Sequence, residues 1–487
     1  MYATPLRRGS RFTVACLLLL ACSVLPSAHA TAATGFDCTG FSCTDVSFAG
    51  GGGLVLHGTV IGPATPHSST PGIVLVGGSG AGPRPEYQYE ARAFAAAGIT
   101  ALVYDKRTIG YSFGHRDFAL LADDARGAVE TLRSTPGVHA DQVGLWGFSE
   151  GAWVAPLTAS RSSDVAFLIT LGASAFSPLR SQTWSLATTL RHRGETGPLA
   201  GTIAGPTARL LGETGAFPAA GFDPLPALRD LRIPALALWG QHDVQVPPAE
   251  SATLLRNTLT ASPSVTIRFL HGGAHNGRAT TDGFDRLGAA PAPGAPRGAF
   301  APGYFDTMTG WVHQIASGNL PASSADAPPP QTMTSADPGR GWWTSAWMQL
   351  TVLAALVLGF VGSLVWTVTH RRSFTGPRSR ATKTASLLAR LLACSGLVSV
   401  LATVAYAVSI LASNAQTLGP ILASRTLAWL SLQVLALLTT ALLAGTAIAT
   451  ARAYAGLLVR HRTALGILLL FGCLWTAWAT TWALFSV

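Results

Sequence analysis

From residue 341 to the C-terminus the chain carries not one aspartate or glutamate. That absence excludes a solvated helical domain, because surface helices need charge of both signs on their outer faces. No charge of either sign stands at the centre of the apolar stretches in this region, around residues 346–369, 386–412, 426–451 and 464–486. Proton relays and ion paths are built from such charges, so a transporter reading has no support. Cysteine is scarce too, six in 487 residues. Cys16 and Cys22 fall in an N-terminal apolar run, and Cys394 and Cys473 lie inside two of the C-terminal stretches. Only Cys38 and Cys43 remain, with no nearby pair of histidines to complete a metal site, and five residues apart they predict a local disulfide.

The net charge of +10 is unevenly spread. Residues 31–340 hold 20 basic and 23 acidic residues, whereas the segment after 340 holds ten basic ones. The basicity therefore marks the ends of membrane segments, and a nucleic-acid partner, which needs cations clustered on a folded face, is excluded.

What is present begins with a secretory signal over residues 1–30. Arg7, Arg8 and Arg11 form its charged part, Val14 to Leu25 its apolar part, and Ala28-His29-Ala30 a cleavage site. Leu19-Leu20-Ala21-Cys22 also fits a lipoprotein box, so two processing sites stay open. Each of the four C-terminal stretches reaches the roughly 20 residues needed to span a bilayer. Arg371, Arg372, Arg378, Arg380 and Lys383 follow the first, Arg452, Arg460 and Arg462 follow the third, and Arg425 alone lies between the second and third. The positive-inside rule places the first and third loops in the cytoplasm and the preceding domain outside. A multi-pass protein of the cell membrane, with Trp342, Trp343 and Trp347 at the entry of the first span, is the expectation.

Residues 31–318 predict an α/β catalytic domain. Short apolar runs at Ile73–Val76, Thr100–Tyr104, Val143–Trp146, Ala166–Leu171, Ala235–Trp239 and Val265–Phe269 have the composition of strands buried on both faces. They alternate with helical stretches such as Asp117–Arg133, the pattern of a mostly parallel sheet. Residues 176–228 break the rhythm and predict a cap inserted over the sheet. Residues 319–340, rich in Ala, Pro and Ser, predict a linker, and residues 341–487 an all-α bundle of four transmembrane helices.

The chemistry starts at Gly147-Phe148-Ser149-Glu150-Gly151, between a buried strand and a predicted helix. There G-x-S-x-G is a nucleophile elbow, which strains the Ser149 backbone and lifts its hydroxyl clear of the sheet. Serine needs a base, and acid and histidine follow it in chain order. The strand Ala235–Trp239 runs into Gly240-Gln241-His242-Asp243, with Asp243 in the loop where the acid belongs, and His275 sits in the glycine-rich loop after the next strand. His271, nearer the strand end, is the weaker base candidate, and Asp223 and Asp230 are delivered by no strand. For the oxyanion, one donor is the Glu150 N–H. The other comes from Gly77-Gly78-Ser79-Gly80-Ala81-Gly82, with Ser79 the second donor and Gly78 and Gly80 lining the substrate. This run is not a phosphate loop, since no Lys-Ser/Thr follows and the Rossmann spacing is absent.

With the oxyanion glycines, Tyr104-Asp105-Lys106-Arg107-Thr108-Ile109-Gly110-Tyr111-Ser112, the elbow, Gly240-Gln241-His242-Asp243 and Ala274-His275, residues 45–318 resemble exported bacterial α/β-hydrolases of the esterase and serine-aminopeptidase-like kind. The resemblance implies an α/β-hydrolase fold, the triad Ser149, Asp243 and His275, and no cofactor or metal. It implies structural roles for Asp105 and Arg107. Thr108 and Ala152 depart from the glycines usual in such proteins. Hydrolysis of a small ester is the leading expectation, with amide or peptide cleavage (Glu150 gripping a free amine) and acyl transfer to an envelope molecule as alternatives. A non-catalytic sensor would not need all three triad residues, and the inner loops are too short for an output domain.

Overall fold

The computed structural model describes residues 36–65, 69–80, 82–112, 114–287, 298–337, 341–369 and 379–486. The signal expected over residues 1–30 and the arginines at 371, 372 and 378 lie outside them. The chain divides into two compact units.

The first unit takes in the described residues up to Thr188 and Gly215–Asp337. Its strands are β1 Phe41–Ala49, β2 Val55–Pro63, β3 Thr70–Val76, β4 Thr100–Tyr104, β5 Val138–Phe148, β6 Leu168–Leu171, β7 Ala235–Gly240, β8 Val265–Leu270 and β9 Ser324–Ala325. They form one sheet in the order β1-β2-β4-β3-β5-β6-β7-β8-β9. β2 pairs antiparallel with β1 and β4, and every other neighbour is parallel. That order, with its reversed second strand, is the α/β-hydrolase fold. The six runs read as buried strands are all strands here. Apart from Val138 at the start of β5, the Val, Ile and Leu of β3 to β7 are buried, because helices cover both faces.

On one face lie α1 (Gln88–Ala96) and, near the end of the unit, the helix Tyr304–Ala316, with Phe94, Tyr304, Met308 and Trp311 in the core. On the other lie α2 (Phe118–Arg133) and α3 (Gly151–Ser160). α2 begins where predicted because the Asp117 carboxylate caps it, accepting from the N–H groups of Ala119 (2.9 Å) and Leu120 (3.1 Å). Phe118, Leu121, Ala125, Ala128 and Leu132 recur at helical spacing and fill the core. Cys38 and Cys43 form a disulfide with Cα atoms 6.0 Å apart at the start of β1.

Two parts of the expected organisation turn out differently. The Ala/Pro/Ser-rich stretch is bonded along the sheet edge rather than free. Ser264 Oγ donates to Pro321 O at 2.6 Å, β9 pairs with β8, and the Ser335 N–H donates to Glu250 Oε2 at 2.8 Å. Within the region read as a cap, the helix α4 (Pro178–His192) leaves the first unit at Thr188, and residues 189–214 belong to the second unit with the C-terminal helices.

That second unit contains α5 (Leu199–Thr202), α6 (Ala208–Thr214) and four long helices at 346–369, 380–412, 427–453 and 459–481. All four are long and apolar enough to cross a membrane. Each packs on at least two of the others, closing a bundle. The 380–412 helix turns small residues inward (Ala385, Ala389, Gly396, Ser399, Thr403, Ala407), which lets backbones approach closely. Residues 189–214 are tied to it by named bonds. Glu195 Oε2 accepts from Thr426 N at 2.6 Å, Thr202 Oγ1 donates to Trp482 O at 3.0 Å, and Glu213 Oε2 accepts from Ala346 N at 2.7 Å.

Candidate active site

β5 ends at Phe148 and α3 begins at Gly151, so two residues make the whole turn. Ser149 sits there at φ 53°, the left-handed strain expected of an elbow. Its N–H is anchored on Leu171 O of the neighbouring strand at 2.9 Å. Glycine is required on both sides. A methyl at Gly147 would press on Gly151 and Ala155, and one at Gly151 would run into the Val76 carbonyl.

Asp243 and His275 follow β7 and β8 and are brought to the serine by the parallel order of the strands. His275 Nε2 lies 2.9 Å from Ser149 Oγ, and His275 Nδ1 lies 2.8 Å from Asp243 Oδ2. The other carboxylate oxygen, Oδ1, accepts from the N–H groups of Gln245 (2.9 Å) and Val246 (3.1 Å). Both side chains are buried, that of Asp243 completely. The chain of contacts can pass a proton from the hydroxyl to the imidazole and hold the resulting cation beside an anion.

Gly172, at the end of β6, defines the remaining wall. It has φ +64°, and a Cβ there would lie 2.6 Å from His275 Cε1. Gly172→Ala is therefore expected to push the imidazole off the serine and lower kcat by about 10²-fold or more. Thermal unfolding followed beside the kinetics should show a lower Tm as well, since alanine at this positive φ is strained.

The glycine loop is latched from behind. Gly78 N–H donates to Tyr87 Oη at 2.7 Å and Gly80 N–H to Tyr111 Oη at 2.9 Å. These amides are thus spent on the protein rather than on a substrate, which departs from the lining role expected of Gly78 and Gly80. The Ser79 and Glu150 N–H groups, in contrast, make no hydrogen bond with the described residues. A methyl at Gly78 would touch Ser149 Cβ at 3.5 Å, so the loop runs beside Ser149.

The Glu150 side chain is 1% exposed. It forms an ion pair with Lys106, accepts from Tyr111 Oη at 2.7 Å and lies 3.3 Å from Arg116 Nη1. Lys106 Nζ also donates to Gly78 O at 2.6 Å. Burial pushes the Lys106 ammonium below its ordinary range although Glu150 pulls the other way. Burial and the Glu150 charge push the Tyr111 hydroxyl up, so it stays a neutral donor. Lys106, Tyr111 and Arg116 were given no role by the sequence, because they sit about 30 to 45 residues from Glu150 with no periodicity to connect them. Arg107 and Asp105 have the structural roles expected of them: Arg107 Nε and Nη2 pair with Asp124 at 2.6 and 2.5 Å, and Asp105 Oδ1 accepts from Arg84 N at 2.8 Å.

Lys106→Met tests the latch. It frees the Gly78 carbonyl while Arg116 still faces Glu150, so kcat should drop by up to about 10²-fold with KM little changed. Removing one partner of a buried pair costs about 3–5 kcal/mol, so a lower Tm should accompany it.

His271 is exposed and not in contact with the serine. Among the described residues no group of three or more His, Cys, Asp or Glu is arranged to hold a metal.

No family model matches the chain. It is 34% identical over 121 residues to a thiohydrolase of Arthrinium phaeospermum, covering 24% of this chain and 38% of the relative. It is 37% identical over 83 residues to a polyketide transferase of Penicillium crustosum, covering 16% and 27%. The chain thus spans well under half the length of these curated relatives. Among solved structures it is similar to an esterase of Pyrococcus furiosus, with 15% identity, 60% of this chain and 95% of that one covered, and a TM-score of 0.39.

Proposed function

We propose that the protein is a membrane-anchored serine hydrolase acting on carboxylic esters. The observation that carries this reading is the unbroken run from Asp243 through His275 to Ser149, with contacts of 2.8 and 2.9 Å. Ser149 Oγ attacks the acyl carbonyl as His275 Nε2 takes its proton. The Glu150 and Ser79 N–H groups receive the oxyanion. Collapse leaves the acyl group on Ser149, and the alcohol departs with the proton from His275. Water, deprotonated by the same imidazole, then attacks the acyl-enzyme and releases the acid.

Ester cleavage is favoured over removal of N-terminal residues by the state of Glu150. Its carboxylate is tied to Lys106, Arg116 and Tyr111, so it does not offer the free anion that would grip a substrate amine. The relatives' names, a thiohydrolase and a polyketide transferase, agree with hydrolysis or transfer. The charge asymmetry of the loops supports a catalytic unit outside the cytoplasm, with a signal cleaved from residues 1–30.

The test is turnover of p-nitrophenyl esters of increasing chain length by the full-length protein in detergent, beside amino-acid p-nitroanilides. Ester turnover with labelling by a fluorophosphonate is the expected result. A folded protein that neither cleaves esters nor takes the label would overturn the proposal.

A further inference from the structure

The bundle holds a cavity of about 390 Å³ between the helices at 346–369, 380–412 and 459–481, toward the ends joined by the 370–379 and 454–458 connections. Leu358, Ile467, Leu468 and Phe471 give it apolar walls. Arg390 and His461 also line it, and His461 is buried. Arg390 makes no hydrogen bond or ion pair with the described residues, and its Nε is sealed from solvent. Its Nη1 and Nη2 are not sealed, so they stay accessible to a ligand.

No carboxylate of the described residues pairs with this cation. Residues 341–487, the undescribed 370–378 connection included, contain no Asp or Glu. The other carboxylates of this unit are engaged elsewhere, Glu195 by Thr426 and Gly197, Glu213 by Arg209 and Ala346. An unpaired charge in an apolar bundle is costly, and the planar Arg fork matches phosphate and carboxylate in bidentate geometry.

We propose that this cavity binds an anionic amphiphile, its phosphate or carboxylate head on Arg390 and one acyl chain along Leu358, Ile467 and Phe471. Small-molecule pockets run from about 300 to 1,000 Å³, so the space takes one chain and its head rather than a whole two-chain lipid. The site is separate from the serine and does not depend on the reaction proposed above.

The full-length protein in phosphatidylcholine nanodiscs would be photolabelled with diazirine-bearing palmitate, phosphatidic acid or phosphatidylcholine, and the adducts mapped by peptide mass spectrometry. At least one anionic probe should label residues 358–367 and 464–471. Arg390→Gln should cut this by about tenfold or more, as the loss of a charge-assisted contact predicts, and Arg390→Lys should retain most of it. Gly362 lines the cavity, and a Cβ there meets nothing within 4 Å. Gly362→Phe therefore places a ring in the space while leaving Arg390 in the sequence, and should abolish the labelling even where Arg390→Gln fails to fold. Palmitate against phosphatidic acid identifies the head group. Equal labelling by phosphatidylcholine, or labelling unchanged by Gly362→Phe, overturns the proposal.

Discussion

Ser149→Ala is expected to remove ester turnover almost entirely, a fall of roughly 10⁴- to 10⁶-fold in kcat. The size follows from what the side chain does. Its Oγ is the atom on which the acyl-enzyme would form, and among the described residues His275 bonds no second hydroxyl. The residual rate would come from the two N–H groups acting on water-borne attack. Folding should be nearly unaffected, because alanine tolerates φ 53° about as well as serine and the Ser149 N–H still bonds Leu171 O. Fluorophosphonate labelling should vanish together with turnover. Retention of more than about 1% of the rate would mean that another nucleophile carries the chemistry.

How far the residues alone reveal this site depends on how local each signal is. That Ser149, Asp243 and His275 come together was legible because each follows an apolar strand of the parallel sheet, in the chain order that a triad would need. The hairpin of β1 and β2 was not legible. Its first strand, with Thr44, Asp45 and Ser47, is largely exposed at the sheet edge and lacks a continuous apolar run. The latch behind the oxyanion loop was equally hidden. Lys106, Tyr111 and Arg116 converge on Glu150 only after β4 and β5 have been set on either side of β3. Residues 189–214 read as punctuation because their Gly and Pro break every periodicity. Their partners, such as Gln416, Thr426 and Trp482, lie more than 200 residues away. The four long helices were legible throughout, since length and hydropathy are local properties, and only their boundaries shifted, by up to six residues.

Asp243→Asn should cost about 10⁴-fold in kcat while leaving every heavy atom in place. The reason lies on the far side of the carboxylate. Asp243 Oδ1 accepts from the N–H groups of both Gln245 and Val246, at 2.9 and 3.1 Å. An asparagine must keep its carbonyl oxygen toward those two donors, because its NH₂ there would face N–H against N–H. The NH₂ is then turned to His275 Nδ1 and donates to it. Nδ1 becomes an acceptor, the ring proton moves to Nε2, and Nε2 can no longer take the proton of Ser149 Oγ at 2.9 Å. The imidazole is thus present, correctly placed and in the wrong tautomer. Asp243→Ala separates this effect from simple loss of charge, because it removes the anion without fixing the tautomer, and should leave the larger residual rate. Steady-state ester kinetics on the two variants decide the matter, with thermal unfolding run in parallel. Asparagine activity within about tenfold of the unsubstituted enzyme would show that Asp243 does not set the histidine's proton.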